Sequence, residues 1–408
     1  MIDLIQVNHI TLHFTRQLYY QVFETVPCDL IFKMFSETKD TNQEKYSSTS
    51  PSVKIGPIMN LGGSIRVNPT GVALLCGLLI LMVYLNSGGS SSNTDPRLRN
   101  QSDKSKVDLK ELLSVAIAVA EAGGREVVAV RNEADIGESS KGKTREGAND
   151  PKTDGDMRSH VQMYYGLKKR FPNIEIISEE HDEKDIDLSK ISTPSDDDAE
   201  VMELLADVSA EVDASDVAVW IDPLDATQEY TENLKQYVTT MVCVAVAGVP
   251  TLGIIHKPFE ESTAWGFSSQ KIVSRSVKTD ADNNKESQDL SQAKIIVSRS
   301  HKGEVETVAK EAFGEGTVVT PAGGAGYKTW EVVKGFQDAY VHTTLIKKWD
   351  ICAGAAILNA LGGKMTTLQG ETIDFGRADQ EKNEGGLLAT MHHHDYFLDK
   401  LKTLAERH

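Results

Sequence analysis

The sequence is poor in basic residues and in cysteine, and each shortage excludes a class of protein. Among 408 residues, 60 Asp and Glu outnumber 43 Lys and Arg, so the formal net charge is −17. A strongly acidic protein repels a polyanion, and we therefore exclude nucleic acid as the partner. A phosphorylated substrate would have to be met by metal ions or by a local basic pocket.

The four cysteines are too few and too widely spaced for a disulfide framework or a zinc site. They are Cys28, Cys76, Cys243 and Cys352, and two of them lie in apolar runs. We interpret them as buried or membrane-embedded thiols.

Long apolar runs are also scarce, with one exception near the N-terminus. Residues 71–85 carry no charge, and with flanking residues they reach the length of a short transmembrane helix, although a buried core helix or a signal peptide is the alternative. We predict a cytoplasmic segment at 1–70, a signal anchor at 71–86, a luminal linker at 87–106 and a catalytic domain at 107–408. Basic residues precede the run, which favours a cytoplasmic N-terminus. We assign no function to residues 1–58, and the sequon at Asn100 is left open.

The rest of the chain mixes helical and strand patterns. Helical spacing covers 107–130 and 159–170, and short apolar runs predict strands at 174–178, 217–221, 238–247, 251–256, 294–298 and 338–342. Residues 182–216 are rich in Asp, Glu and Ser, and we interpret them mainly as a solvated surface excursion. The pattern indicates an α+β (mixed α/β) fold.

Acidic residues follow several predicted strands. Asp222 and Asp225 flank a proline turn at a strand end, and Glu179 follows another strand. Asp350 begins a predicted apolar helix. Carboxylates collected in this way suit hard divalent cations, although a capped turn or an ordinary helix cap explains each acid taken alone.

Four motifs in order resemble a known family. They are Thr153-Asp154-Gly155-Asp156, Glu179-Glu180, Asp222-Pro223-Leu224-Asp225-Ala226-Thr227 and Trp349-Asp350. Together they resemble the lithium-sensitive, magnesium-dependent phosphatases that include inositol monophosphatases and bisphosphate nucleotidases. The resemblance covers about residues 107–405 and implies a layered α-β-α-β-α sandwich of the inositol monophosphatase and sugar phosphatase type, here preceded by a single transmembrane helix.

The resemblance also implies a division of roles at the site. Two or three Mg²⁺ ions would be held by Glu179, Asp222, Asp225, Asp350 and the carbonyl of Leu224. Asp156 and Thr227 would orient and help deprotonate the attacking water, with no covalent intermediate.

Substrate choice would come from the second half of the domain. By the resemblance, Ser298, His301, Gly324 and Lys328 contact a nucleotide, with Lys328 as a clamp for a 5'-phosphate. The implied substrate is a small-molecule nucleotide, adenosine 3',5'-bisphosphate, cleaved to AMP and phosphate. Signal-anchored members of the family imply a Golgi membrane protein of type II topology that clears this by-product of sulfotransferases in the lumen. A homodimer is left open.

Two alternatives remain at this stage. One is an inositol phosphate phosphatase, which Ala226-Thr227-Gln228-Glu229-Tyr230 disfavours because it differs from the run typical of inositol monophosphatases. The other is a catalytically dead, membrane-tethered binding module, which the complete set of acids disfavours. His392-His393-His394 is interpreted as a solvated stretch, since consecutive residues cannot all face one ion.

Overall fold

The structure is a computed structural model that describes residues 106–143, 147, 149–181, 186–277, 290–299, 305–376 and 378–405. The expected anchor at 71–86 and nearly all of the linker at 87–106 lie outside these residues, as do His301 and Asn100. Within the described ranges, no helix has both the length and the apolar character needed to cross a membrane. The anchor therefore stays a prediction.

Seventeen strands and eight α-helices are found in the described residues. The strands are β1 (Lys106–Asp108), β2 (Ser139–Lys143), β3 (Asn149–Lys152), β4 (Glu175–Ser178), β5 (Glu211–Asp213), β6 (Val217–Asp225), β7 (Thr239–Val246), β8 (Val249–Lys257), β9 (Ser262–Phe267), β10 (Ile272–Val273), β11 (Lys294–Ser298), β12 (Val318–Ala322), β13 (Ala339–His342), β14 (Ile346–Lys347), β15 (Lys364–Thr366), β16 (Lys382–Asn383) and β17 (Leu387–Thr390). The helices are α1 (Leu109–Arg131), α2 (Asp154–Arg170), α3 (Ala199–Leu204), α4 (Thr227–Thr231), α5 (Val305–Phe313), α6 (Ala325–Val333), α7 (Lys348–Ala360) and α8 (His394–Ala405).

The first large sheet has the strand order β10-β9-β8-β7-β6-β4. Only β4 and β6 are parallel, and the other neighbours are antiparallel. Side chains alternate between two cores, as a strand period of two requires. On β6, Val219 and Ile221 pack with α1 and α2, whereas Trp220 faces the core that contains α7.

The second large sheet has the order β12-β11-β13-β17-β15. On one face, Val297 and Val341 pack with α5 and α8, and on the other face Ile296 and Tyr340 join the core of α6 and α7. The domain therefore has five layers. The helices α1 and α2 are followed by the first sheet, and then by the helices α6 and α7. The second sheet comes next, and the helices α5 and α8 form the last layer. This arrangement confirms the expected α-β-α-β-α sandwich.

Close packing against α2 explains why α1 contains Gly123 in its interior. A Cβ at Gly123 would lie 2.5 Å from Ser159 Oγ and 2.6 Å from Met163 Sδ, both on α2. The two helices thus approach more closely than larger residues allow, which outweighs the helix-propensity cost of about 1 kcal/mol.

The prediction of free thiols is wrong for two of the cysteines. Cys243 on β7 and Cys352 on α7 form a disulfide, although 109 residues separate them in sequence. Both are buried, as expected, at 1% and 0% exposure. Sequence spacing could not reveal the pair, because only the packing of α7 on the first sheet brings the two residues together.

The acidic stretch is mainly solvated, as predicted. Most of the described residues of 182–216 are exposed, although α3 buries Val201 and its Glu200 accepts a hydrogen bond from Trp265 Nε1 at 3.2 Å. The interpretation of the histidine run needs correction, because it is not wholly solvated. His394 is buried between the hydroxyls of Thr366 and Thr390, at 2.9 and 3.0 Å.

Candidate active site and metal centre

Asp222 and Asp225 lie at the end of β6 and are 1% and 8% exposed. The pairing of β6 with β7 is irregular between these two residues, and Ala226 then adopts a left-handed conformation with φ of 71°. Residues three apart on a regular strand face opposite sides, but an irregularity of this kind re-aims a side chain. The strand end therefore lets both acids serve one site.

The carboxylate of Asp225 is held by the second half of the domain. Its oxygens accept hydrogen bonds from the backbone N–H groups of Ala325 and Gly326, at 3.0 and 2.8 Å, and from Thr239 Oγ1 at 3.2 Å. The N-terminus of α6 thus points at this acid, where its dipole favours negative charge. A Cβ at Gly324 would lie 2.8 Å from Asp225 Oδ2, so glycine is needed for the close approach.

Glu179 and Asp350 reach the same region from other elements. The Glu179 N–H donates to Ile221 O at 3.1 Å, which continues the parallel pairing of β4 and β6 and brings Glu179 beside Asp222. Asp350 lies in the first turn of α7, where its Oδ2 accepts a hydrogen bond from Lys347 N at 3.2 Å. The helix begins at Lys348, so the prediction that Asp350 lies at a helix N-terminus is confirmed.

These carboxyls perturb one another. Burial raises the pKa of Asp222, and the nearby charges of Glu179, Asp225 and Asp350 raise it further. Burial likewise raises the pKa values of Glu179, Asp225 and Asp350. Buried like charges of this density call for a cation, and the all-oxygen donor set suits Mg²⁺. Yet among the described residues no three acidic, histidine or cysteine side chains already surround one point as metal ligands.

Lys141 on β2 contacts two of the acids in this region. Its Nζ lies 2.8 Å from Glu179 Oε1 and also contacts Glu180, whose second oxygen lies 3.3 Å from Lys152 Nζ. Burial lowers the pKa of Lys141, but the charges of Glu179 and Glu180 outweigh that effect and raise it overall. Sequence reasoning missed Lys141, because the local sequence around a lysine in a polar hairpin does not show which distant acids it contacts.

Asp156 and Thr227 are brought together as the resemblance implied. Thr227 Oγ1 lies 3.0 Å from Asp156 Oδ1 and 3.1 Å from Leu224 O, so its single proton can be donated to either. Asp156 is 1% exposed, and its Oδ2 accepts a hydrogen bond from Thr153 Oγ1 at 2.6 Å. Burial raises the pKa of Asp156 to about 7, and the bond from Thr153 opposes the shift. This carboxyl can thus gain or lose a proton near neutral pH.

Two of the four expected substrate residues, Gly324 and Lys328, lie near Asp225. Ser298 ends β11 opposite Ala322, and Gly324 precedes α6. Lys328 is only 3% exposed, and its Nζ donates to Gly324 O at 2.5 Å. Its ammonium therefore lies beneath the glycine-rich segment rather than in open solvent. Burial lowers the pKa of Lys328, while Asp225 and Glu229 oppose the shift.

Glu229 and Arg299 border this cluster and were also missed. Arg299 Nη1 lies 3.2 Å from Glu229 Oε1 and 2.7 Å from Glu232 Oε2. A Cβ at Gly323 would collide with Glu229, so the glycine-rich segment packs directly on this acid. The only sequence signal for Arg299 as a site residue was its position directly after the predicted strand that ends at Ser298.

Comparisons with known proteins point to one family. The sequence profile described as "Inositol monophosphatase family" matches residues 108–404. "Inositol monophosphatase 3" of Danio rerio is 47% identical over 337 residues, covering 80% of this chain and 93% of the relative. "Golgi-resident adenosine 3',5'-bisphosphate 3'-phosphatase" of Mus musculus is 46% identical over 364 residues, covering 83% and 97%.

Solved structures share the fold. The inositol monophosphatase of Anabaena (Nostoc) sp. PCC 7120 aligns with a TM-score of 0.50 at 20% identity, over 72% of this chain and 96% of that one. A staphylococcal IMPase-II gives a TM-score of 0.51 at 16% identity, over 72% and 98%. At these identities the likeness concerns the fold alone.

Proposed function

The chain belongs to the inositol monophosphatase family, and from that premise we propose that it is a magnesium-dependent phosphatase that hydrolyses adenosine 3',5'-bisphosphate to AMP and phosphate. Hydrolysis of a phosphoric monoester is the activity that the family membership supports. The observation that carries the proposal is the juxtaposition of the buried carboxylates around Asp222 with the hydrogen-bonded pair of Asp156 and Thr227.

Glu179, Asp222, Asp225 and Asp350, with the carbonyl of Leu224, would hold two or three Mg²⁺ ions. When bound, the metal supplies positive charge that stabilises the phosphoryl oxygens and the leaving 3'-oxygen. Lys141 would have to give up its contact with Glu179 for that acid to become a ligand. The helix N-terminus at Asp225 keeps this carboxylate in place meanwhile.

The protein's own proton path runs through Thr227. Its hydroxyl donates to Asp156, which leaves a lone pair free to accept a hydrogen bond from the attacking water. Because the pKa of Asp156 is raised to about 7, this carboxylate can take up a proton as the water attacks. Direct attack by water needs no covalent phosphoenzyme.

The choice between a nucleotide and an inositol phosphate depends on the second half. Ser298, His301, Gly324 and Lys328 are the proposed nucleotide contacts, and relatives named for both kinds of substrate match the chain. Lys328 offers a positive charge beside the site for a second phosphate. An inositol monophosphate has no second phosphate to pair with that charge.

Phosphate release tests the proposal directly. Full-length protein in detergent with Mg²⁺ should act fastest on adenosine 3',5'-bisphosphate, more slowly on adenosine 2',5'-bisphosphate and poorly on inositol monophosphates. Asp222→Asn, purified in parallel, controls for contaminating phosphatases. Lithium added to the assay should inhibit. Faster release from inositol monophosphates than from any nucleotide would overturn the substrate assignment.

We also propose a Golgi membrane protein of type II topology with its catalytic domain in the lumen. Relatives named Golgi-resident support the compartment, and the uncharged run at 71–85 supports the anchor. The Cys243–Cys352 disulfide fits an oxidising lumen, because such bonds are rare in the cytosol. Protease digestion of sealed microsomes should spare the domain until detergent is added, and digestion without detergent would contradict the topology.

A further inference from the structure

Helix α7, which carries Asp350, sits unusually close to the first sheet. A Cβ at Gly253 on β8 would collide with Ala353 O, and one at Gly266 on β9 would lie 2.9 Å from Ile357 Cα. Only glycine at these two strand positions permits such an approach of backbone to backbone. The helix therefore rests in a seat that is formed by the sheet itself.

The seat is one row of cross-strand neighbours. Trp220 on β6 is opposite Cys243 on β7, Cys243 is opposite Gly253, and Gly253 is opposite Gly266. Residues opposite one another on adjacent strands point to the same face of a sheet. Cys243 therefore belongs to the same row as the two glycines, and its disulfide to Cys352 connects this row to α7.

The same bond joins α7, which carries Asp350, to β7, the strand that pairs with the end of β6 at Asp222. Cys352 lies two residues after Asp350 on α7, and Met241, two residues before Cys243 on β7, is opposite Asp222 on β6. A displacement of α7 along or away from the sheet would thus change the separation of Asp350 and Asp222.

We propose that the Cys243–Cys352 disulfide positions Asp350 relative to Asp222 and so sets the affinity of the metal centre. This inference rests on the proposed metal-dependent function. Cys243 and Cys352 are positioning residues, since neither contacts substrate. The bond forms during folding by thiol–disulfide exchange with an oxidised dithiol: two cysteine S–H bonds are lost, one S–S bond is formed, and the partner disulfide is reduced to two thiols.

The bond itself is tested first, without any measurement of metal or turnover. Full-length protein is denatured without reductant, alkylated and digested. The expected product is a peptide pair that joins Cys243 to Cys352 and separates only on reduction. Alkylation of both cysteines in the unreduced protein would overturn the proposal.

The positioning role is tested by a double-mutant cycle with Cys243→Ala, Cys352→Ala and the double variant. Mg²⁺ dissociation constants are measured calorimetrically at a temperature well below unfolding. Each variant should bind Mg²⁺ about tenfold more weakly, as is typical when the support of a ligand is lost. The double variant should bind Mg²⁺ no more weakly than either single variant, because the same bond is broken in all three.

Leu112→Ala is the matched control, since Leu112 is fully buried in α1 and far in sequence from the seat. It should lower the melting temperature but leave Mg²⁺ affinity unchanged. Two outcomes would overturn the proposal. In the first, the cysteine variants lose thermal stability but keep their Mg²⁺ affinity, as the control does. In the second, the losses of Mg²⁺ affinity in the two single variants add up in the double variant. Absence of Mg²⁺ binding by the wild-type protein would instead refute the proposed function, whatever the peptide map shows.

Discussion

The two halves of the domain contribute to the site in different ways. The amino-terminal half, residues 106–277, supplies acids from strand ends and from the start of α2, and their charges raise one another's pKa values. The carboxy-terminal half, residues 290–405, supplies mainly backbone N–H groups at the start of α6 and the ammonium of Lys328. Asp350 is its one acid among the proposed ligands.

This difference teaches how a site can hold so much negative charge. Strand ends place carboxylates side by side, which costs free energy because the charges repel in a buried setting. Helix N-termini offset part of that cost without adding a mobile cation. We therefore expect substitutions in the amino-terminal half to affect the chemistry on every substrate, and most substitutions in the carboxy-terminal half to affect substrate choice.

The largest effect is expected in the amino-terminal half from Asp222→Asn. Loss of one ligand charge should lower kcat/KM about a thousandfold, or roughly 4 kcal/mol of transition-state stabilisation. The metal-free protein should be at least as stable as wild type, because one repelling charge is gone. Phosphate release and thermal unfolding measure both. Asp216→Asn, an exposed acid before the same strand, should change neither.

Thr227→Ala comes next and tests whether this half acts on all substrates. Loss of the hydroxyl that contacts Asp156 should lower kcat about a hundredfold on nucleotides and on small phosphomonoesters alike. Thr227→Ser keeps the hydroxyl and should retain most of the activity. A change confined to KM would place Thr227 in substrate binding instead.

Lys328→Met sharpens the comparison from the carboxy-terminal half. If its ammonium binds the 5'-phosphate, kcat/KM on adenosine 3',5'-bisphosphate should fall roughly thirtyfold, the value of about 2 kcal/mol for a charge-assisted hydrogen bond. Adenosine 3'-monophosphate should be affected much less. Because Nζ donates to Gly324 O, an equal loss on both substrates would mean that Lys328 acts by ordering the glycine-rich segment around Asp225.

The smallest effect concerns pH and metal-free stability. The pKa of Asp156 is raised by burial to about 7, so its stabilising protonated form is favoured at low pH and lost as pH rises through 7. Between pH 6 and pH 7 this group alone lowers the free energy of unfolding by about 1 kcal/mol, because the folded carboxyl goes from mostly to half protonated while the unfolded one stays ionised. Thermal unfolding without Mg²⁺ should therefore occur at lower temperature at pH 7.5 than at pH 6, and Asp156→Asn should reduce the difference. An unchanged difference in that variant would contradict the shift.

Local patterns predicted the features that depend on local sequence. The strand before Asp222, the helix that begins near Asp350 and the order of the acid motifs were all read from runs of a few residues. The boundaries were less secure: α2 begins at Asp154, five residues before the predicted start, because Thr153 caps it.

The unpredicted features are contacts between residues far apart in sequence. The Cys243–Cys352 bond spans 109 residues, and the contact of Lys141 with Glu179 spans 38. The helix after Gly324 was hidden by the glycines that let it approach Asp225. No periodicity encodes such pairs, since they arise only when the layers of the sandwich pack together.

Anomalous diffraction from crystals soaked with Mn²⁺ tests most directly the claim that both halves build one metal centre. Carboxylate ligands suit Mn²⁺ as well as Mg²⁺, and Mn²⁺ can be located by its own signal. We predict peaks within ligand distance of Asp222 and Asp225 from the amino-terminal half and of Asp350 from the carboxy-terminal half, with Lys141 displaced from Glu179. Peaks that leave Asp350 or Asp222 without a metal contact would contradict the claim.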